Sequence, residues 1–322
     1  MSSAALKVNE LSVCLGSGAT QRRLVDRVSF SIQPGSATGL VGESGCGKTL
    51  TALAILGLLP AGAKIECKSI TLNGREISGL DDRHRRAVLG NDIAMVFQQP
   101  GTALDPVFKL GQQIGSVYRR HRRTSRAQTR QATLESLASV GFSQPQEIAA
   151  AYPHQLSGGM RQLAMIAMAT VCKPSVIIAD EPTTALDAGI RSLVLQQLDK
   201  LRERFNTALL LISHDLSVVR QVCDDALVMY CGRALEQAPC VELFSRPRHP
   251  YTAGLLACIP LVDADEALPI TAIPGQVPAA NNLPPGCHFA PRCGRAEERC
   301  RQSVPVPAAG ATHQVACFRP LS

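Results

Sequence analysis

Leu156-Ser157-Gly158-Gly159-Met160-Arg161-Gln162 stands between a glycine-rich loop, Gly42-Glu43-Ser44-Gly45-Cys46-Gly47-Lys48-Thr49, and an acidic pair, Asp180-Glu181. The order of these three pieces decides the fold. Many phosphate-binding chains carry such a loop and an acidic strand end, but few insert a Leu-Ser-Gly-Gly run between them. Ser157, Gly158 and Gly159 open an apolar stretch, Met160 to Val171, that reads as a helix. Their amides and the Ser157 hydroxyl therefore form an anion site of the kind found at helix N-termini.

The glycine-rich loop fits G-x-x-x-x-G-K-[ST], follows the apolar run Ala37 to Val41 and leads into a helix-like stretch, Leu50 to Leu59. Gly42, Gly45 and Gly47 let backbone amides turn inward on phosphates, and the helix aims its positive end at the same anion. Lys48 is expected to reach the β- and γ-phosphates of a nucleotide and Thr49 to offer its hydroxyl to Mg²⁺. Since this loop serves the phosphates of its own site, a second anion site at Ser157 to Gly159 implies a nucleotide carried by a second chain.

Val176-Ile177-Ile178-Ala179 runs into Asp180-Glu181 and reads as a buried parallel strand delivering carboxylates to its C-terminal edge, where ligands bind in open α/β sheets. Taken alone, such a pair also fits a helix N-cap or a surface turn. Three further marks follow the same logic. Gln98 ends the apolar stretch Ile93 to Phe97, Ala185-Leu186-Asp187 follows the acidic pair, and Ser213-His214-Asp215 follows the apolar run Ala208 to Ile212. A single histidine after a strand has many neutral roles, so His214 gains meaning only from its company.

Taken in this order, the motifs resemble those of the ATP-binding cassette, or ABC, ATPases. The resemblance implies an α/β fold: an ABC-type nucleotide-binding domain, with a RecA-like core of mixed sheet plus a helical subdomain, and a small C-terminal cysteine-containing extension. It implies that Glu181 polarises the attacking water, that His214 contacts the γ-phosphate, and that Gln98 contacts metal and water and senses a transport subunit. The nucleotide would be held by Gly42, Ser44, Gly45, Cys46, Gly47, Lys48, Thr49, Asp180 and Gln98. Of these, Thr49, Gln98 and Asp180 would share Mg²⁺. It further implies a head-to-tail pair of cassettes, with Ser157, Gly158, Gly159 and Asp187 acting in trans on ATP bound by the other subunit.

Two positions depart from the common ABC pattern. Met160 replaces the commoner Gln, a variant familiar in the peptide-permease branch. Leu11-Ser12-Val13-Cys14-Leu15 offers no aromatic ring for adenine; Leu15 stands where the ring is expected, with Arg22 and Arg23 nearby. A stacking contribution on the order of 1 kcal/mol would be missing, and weaker base discrimination is expected.

At 322 residues, 45% of them hydrophobic, the chain can hold one cassette and an extension but not two cassettes. It has no Trp, and no apolar run reaches the ~18 residues of a bilayer span; Thr51 to Ala63 comes nearest and Pro60 interrupts it. Met1 to Glu10 lacks the charged start and apolar stretch of a signal peptide. The expected location is cytoplasmic, peripheral on the inner membrane face. The net charge of +7 gathers at Arg83 to Arg86 and Arg119 to Arg130, in a chain only 4% aromatic. Without interleaved aromatics this reads as a solvated helical face beside anionic lipid, with no nucleic-acid partner.

Twelve cysteines need an account, because disulfides are rare in the cytosol. Eight are scattered, Cys46 and Cys172 among them, and read mostly as small buried hydrophobes. Cys287, Cys293, Cys300 and Cys317 instead fall within 31 residues, spaced C-x5-C-x6-C-x16-C in a Pro/Gly-rich segment. Four thiolates suit an iron-sulfur cluster or zinc, and zinc prefers paired C-x2-4-C knuckles that this segment lacks; incidental free thiols are the bland alternative.

The stretch Leu283 to Cys293 is similar to the C-terminal tail of oligopeptide and dipeptide permease ATPases. Arg248-His249-Pro250-Tyr251-Thr252-Ala253-Gly254-Leu255-Leu256 resembles the HPYT segment of ATPases serving peptide and nickel importers. Some of that family carry a [4Fe-4S] cluster on such cysteines, so the resemblance, which spans about Leu6 to Phe318, favours [4Fe-4S] over zinc. It sets an ABC ATPase domain at 1–246, with a helical subdomain at about 99–158, and an extension at 247–322.

The function so implied is that of an ATP-hydrolysing subunit of a membrane importer of di- or oligopeptides, or of nickel and related small solutes. Its partners would be a second ABC ATPase subunit, a paralogue in the usual pattern of this family and so giving a heterodimer, two membrane permease subunits and, indirectly, an extracytoplasmic solute-binding protein. The alternative is a soluble ABC ATPase of DNA repair or translation, a class that usually carries two cassettes or long inserted coiled coils. A third class, an ATP-binding regulator without turnover, sits badly with Glu181 and His214.

Overall fold

The computed structural model describes residues 3–18, 21–184, 186–258, 273–308 and 310–322. The chain opens with strands β1 (Leu6–Leu15), β2 (Arg22–Ile32) and β3 (Ala37–Val41), then helix α1 (Lys48–Leu56) and strands β4 (Ala63–Glu66), β5 (Ser69–Leu72) and β6 (Arg75–Glu76). Helix α2 (Asp82–Val88) and strand β7 (Ile93–Val96) lead into α3 (Pro100–Ala103), α4 (Leu110–His121), α5 (Arg126–Ser139), α6 (Pro145–Ala150) and α7 (Gly158–Thr170). Strand β8 (Val176–Asp180), helix α8 (Ala188–Phe205), strand β9 (Ala208–Ser213) and helix α9 (Leu216–Val222) follow. The remainder holds β10 (Asp225–Tyr230), β11 (Arg233–Pro239), α10 (Cys240–Ser245), α11 (Pro250–Ala257), α12 (Glu298–Gln302) and β12 (Gln314–Val315).

The chain forms two compact units. The first comprises Met1–Lys7, Ser31–Ala37 and Thr71–Leu211. Its strands β7 and β8 run parallel, pairing Ile93 with Val176 and Val96 with Ala179, and β8 lies between β7 and β9. Every residue of β8 and β9 is buried, which is why both read as unbroken apolar runs. The β5–β6 hairpin turns at Asn73 and Gly74, both with positive φ, as an Asn-Gly turn requires. Helices α3 to α7 enclose a small core of Leu104, Leu110, Leu156 and Ala164, and Met160 packs against it beside Phe142, Ile148 and Met168. That contact gives Met160 a structural reason that Gln would not supply.

The second unit comprises Val8–Phe30, Thr38–Ile70 and Ile212–Ser322. Here β3 and β10 run parallel, pairing Thr38 with Asp225 and Val41 with Val228, while β10–β11 and β11–β12 are antiparallel. Strand β1 pairs β2 on one side and β4 on the other, with Leu15 opposite Ala63. Through its central part, β2 buries Val28 and Phe30 and exposes Arg27 and Ser29, the alternation of a strand with one wet face. Helix α1 stops earlier than its apolar sequence suggests. Gly57 takes a left-handed conformation and its N–H returns to Ala54, so Leu58 lies outside the helix and is exposed.

Candidate functional site

In the second unit, β3 delivers the chain to the Gly42–Thr49 loop and α1 leaves it. Gly42 has φ +151, and a Cβ there would collide with the Met229 carbonyl oxygen and come within 2.8 Å of Cys46 Sγ. Only glycine fits that entry. Gly47, also left-handed, precedes α1 without any side chain to cap it, so the helix presents its first amides as backbone alone. The Lys48 side chain is buried, and its Nζ donates to the carbonyls of Gly42 at 2.7 Å and Glu43 at 3.2 Å. Cys46 Sγ lies 3.8 Å from the same amine; burial pushes the Cys46 thiol up while Lys48 opposes it. Ser44, Gly45 and Thr49 are exposed along the loop.

The acidic edge belongs to the first unit. Asp180 is buried at the end of β8, and Glu181 follows with φ 45, a left-handed backbone rare for a residue with a side chain. Parallel pairing of β7 with β8 brings Gln98 to the same edge, where its Nε2 donates to Glu181 Oε2 at 3.0 Å. Thr184 Oγ1 donates to that oxygen at 2.9 Å. Two of the residues singled out in the sequence thus meet directly, and the carboxylate is held by two donors.

Ser157 caps α7 by accepting from Met160 N–H at 3.3 Å, and Gly158 faces open space. Gly159 is required by packing: a Cβ there would overlap Ile190 of α8. Asp187 is exposed and caps α8 through the Ile190 N–H at 3.0 Å; its neighbour Ala185 lies outside the described residues. In the second unit, His214 is exposed after β9, and the turn behind it is fixed by Ser213 Oγ, which accepts from Asp215 N–H at 2.9 Å.

Cys287, Cys293, Cys300 and Cys317 line one pocket together with His249 and Phe289. Burial raises the thiols of Cys287, Cys293 and Cys317, and holds His249 neutral by lowering its pKa to about 4. Among the described residues no three His, Cys, Asp or Glu side chains gather closely enough to hold a single metal ion. Of the other eight cysteines, Cys14, Cys46, Cys172, Cys223 and Cys240 are buried and the rest partly so. Near the start of the chain, Arg23 is paired with Asp26 at 3.0 Å and Glu66 at 3.4 Å, and Leu15 is 40% exposed.

One connection among residues already quoted escaped the sequence reading. Arg292 forms a two-pronged ion pair with Glu43, 249 positions away, and the Tyr251 hydroxyl accepts from the Glu43 N–H at 3.0 Å. No periodicity or motif links positions so far apart.

Comparison with known proteins gives the family and the fold. Residues 25–184 match the family described as ABC transporter, and residues 235–300 match the oligopeptide/dipeptide transporter C-terminal region. The chain is 45% identical over 301 residues to "Oligopeptide transport ATP-binding protein AppD" of Bacillus subtilis (strain 168), covering 93% of this chain and 92% of that protein. It is 40% identical over 316 residues to "Oligopeptide transport ATP-binding protein OppD" of Salmonella typhimurium, covering 98% and 94%. In three dimensions it is similar to the ATP-binding cassette MJ0796 in a dimeric post-hydrolysis state bound to ADP and Pi. That likeness has a TM-score of 0.65 and 25% identity, covering 73% of this chain and 98% of the other.

Proposed function

The chain belongs to the ABC transporter family, in the branch with the oligopeptide/dipeptide transporter C-terminal region, and on that premise we propose that it is the ATP-hydrolysing subunit of a membrane importer of di- or oligopeptides. One observation carries the reading: the similarity to oligopeptide transport ATP-binding proteins runs along nearly the whole chain, tail included. The alternative of a soluble repair or translation ATPase has no support in that tail.

Lys48 and the amides of the 42–49 loop hold the β- and γ-phosphates, with Gly42, Ser44, Gly45, Cys46 and Gly47 shaping the cradle. Thr49, Asp180 and Gln98 supply hard oxygen ligands of the kind Mg²⁺ takes, and the buried Asp180 carboxylate suits a divalent cation. When bound, Mg²⁺ neutralises charge on the β- and γ-oxygens. Glu181 polarises the attacking water, and Gln98 and Thr184 fix the orientation of its carboxylate. His214 meets the γ-phosphate. Ser157, Gly158, Gly159 and Asp187 act on the nucleotide of a second cassette, a paralogue in the proposed assembly.

Phe97, Val107 and Phe108, exposed around the Gln98 segment, offer an apolar contact for a permease subunit. Among the described residues no helix is long and apolar enough to cross a membrane. The proposed assembly holds the subunit peripherally on the cytoplasmic face through two membrane permeases. The organisation proposed is a cassette at 1–246, with helices over 99–158, and an extension at 247–322.

The extension is proposed to hold a [4Fe-4S] cluster on Cys287, Cys293, Cys300 and Cys317. The four cysteines line one pocket and would hold the cluster through their thiolates, and the cluster would supply a structural or redox-active centre there. The fit has a second support. His249, 1% exposed, accepts from Tyr251 N–H through Nδ1, which leaves the hydrogen on Nε2, and Nε2 has no partner among the described residues. A sulfur acceptor in the shared pocket would satisfy it. Iron and acid-labile sulfide in equal amounts in anaerobically purified protein, lost in Cys293→Ser, are expected; protein free of iron would end this reading.

Co-purification in mild detergent from the native host tests the function. Two permeases, a second cassette and a peptide-loaded binding protein are expected. Ribosomes or repair proteins in their place would overturn the importer assignment.

A further inference from the structure

Arg292 closes the short 3-10 turn Ala290–Arg292, one residue before Cys293, and its side chain is only 4% exposed. A guanidinium has five N–H donors in a rigid fork, and here every nitrogen is engaged. Nε donates to the Pro274 carbonyl at 3.0 Å, Nη1 to Glu43 Oε2 at 2.7 Å and the Tyr230 hydroxyl at 3.3 Å, and Nη2 to Glu43 Oε1 at 3.1 Å and the Ile273 carbonyl at 3.4 Å. The Glu43 hydrogen bonds hold the guanidinium pKa well above its ordinary value.

Glu43 immediately follows Gly42 in the phosphate loop. Its side chain is gripped by Arg292, its N–H donates to Tyr251 Oη at 3.0 Å, and its carbonyl accepts from Lys48 Nζ at 3.2 Å. The gripping groups are themselves braced. The rings of Tyr230, Tyr251 and Phe289 meet pairwise with centroids 4.7 to 5.4 Å apart. The two tyrosine hydroxyls stay protonated, because burial pushes Tyr230 up to about 12 and Tyr251 higher still.

An ion pair with one buried and one half-buried partner is weak evidence for stability, since desolvation offsets much of its attraction. Its fork geometry does fix orientation. The loop it grips is glycine-rich and has little stiffness of its own, so an external brace decides whether its amides start aligned or must be ordered as the ligand arrives.

We propose that Arg292, with the Tyr251 hydroxyl, is a positioning residue for nucleotide binding: the two clasp Glu43 and preset the phosphate loop, so that the C-terminal segment governs the affinity of the site for a nucleoside triphosphate. This rests on the reading of residues 42–49 as the nucleotide site. Arg292 touches no reacting group in this account, so its loss acts on affinity and leaves the hydrolytic step nearly intact.

The test is ATP affinity by titration calorimetry on the purified full-length chain, with KM and kcat measured in the assembled transporter. Arg292→Lys keeps the charge and loses the fork; Tyr251→Phe loses one oxygen and keeps the ring. Each is expected to weaken ATP binding by roughly fivefold, and Arg292→Ala by about tenfold or more, with KM raised and kcat changed less than twofold, as loss of charge-assisted hydrogen bonds predicts. Binding is measured well below the melting temperature of each variant, so reduced stability alone does not move it. Wild-type affinity in both Arg292→Lys and Tyr251→Phe overturns the clasp, whether or not Arg292→Ala folds. Equal losses in kcat and kcat/KM overturn it as well. Lys48→Ala separates the two readings: if it leaves ATP affinity unchanged, the nucleotide site itself is misplaced, and if it abolishes binding while the other variants bind normally, only the clasp fails.

Discussion

Replacing Glu236 by alanine should loosen the attachment of the HPYT segment and the last strand in one stroke. The Glu236 side chain on β11 is fully buried and is the shared acceptor of three groups. Arg248 N–H reaches Oε1 at 2.6 Å, His249 N–H reaches Oε2 at 2.9 Å, and His313 Nε2 lies 2.7 Å from Oε1. The His249 amide is buried and cannot turn to water, so its orphaning costs about 2 kcal/mol. Arg248 N–H and His313 are partly accessible, and His313 retains Glu242 at 3.4 Å, so about 1 kcal/mol each is appropriate. The sum is about 4 kcal/mol, and at about 2 °C per kcal/mol for a chain of this size the melting temperature should fall by roughly 8 °C. Differential scanning calorimetry of Glu236→Ala against wild type reads this directly, and Glu236→Gln, which keeps one acceptor oxygen, should fall in between. A Glu236→Ala protein melting within 2 °C of wild type would falsify the reasoning, because the three donors would then have found other partners.

Glu181→Gln should lower ATP hydrolysis by at least about 10²-fold while ATP binding persists, as removal of a positioned base does; unchanged phosphate release would place the base elsewhere. Wild-type protein should prefer ATP to GTP by less than a hundredfold, and Leu15→Tyr, which adds a ring at an exposed strand end, should tighten ATP by about fivefold. No change in affinity would mean that adenine does not reach Leu15. Asp26 supplies a pH test. Burial raises its pKa, but Arg233 and Arg23 outweigh this and hold it below 3.8, so its contribution to stability is complete above that pH and is lost as pH falls through the lowered value. Thermal melts of Asp26→Asn should therefore lie below wild type at neutral pH and converge with it in acid; a constant gap across the range would contradict the pairing.

The parts of the site that sequence made legible are those built from contiguous residues. Gly42 to Thr49 is a loop because glycines sit where φ is positive or a backbone carbonyl crowds the chain, and that requirement is written into single positions. The meeting of Gln98 with Glu181 was only half legible. Two apolar runs announced β7 and β8, but their parallel register, Val96 beside Ala179, belongs to the sheet. The place of Met160 in a small helical core was invisible, since its neighbours come from four separate segments. Arg292 was hidden for a similar reason: it lay in a stretch notable for cysteines, and its partner stands near the other end of the chain. Arginine carries no periodic signature that would mark one as structural and the next as solvent.

The backbone of Glu181 carries a consequence for anyone who would engineer this protein. At φ 45 it occupies a conformation that glycine and asparagine adopt with less strain, and relief of such strain in other folds is worth about 1 kcal/mol. Glu181→Gly or Glu181→Asn would relieve that strain but give up the carboxylate that accepts from Gln98 and Thr184, so in folding the gain and the lost hydrogen bonds oppose one another. On the role proposed for Glu181, selection for turnover would keep glutamate despite its strained backbone. The carboxylate would then be retained for what it does to water rather than for ease of its own backbone.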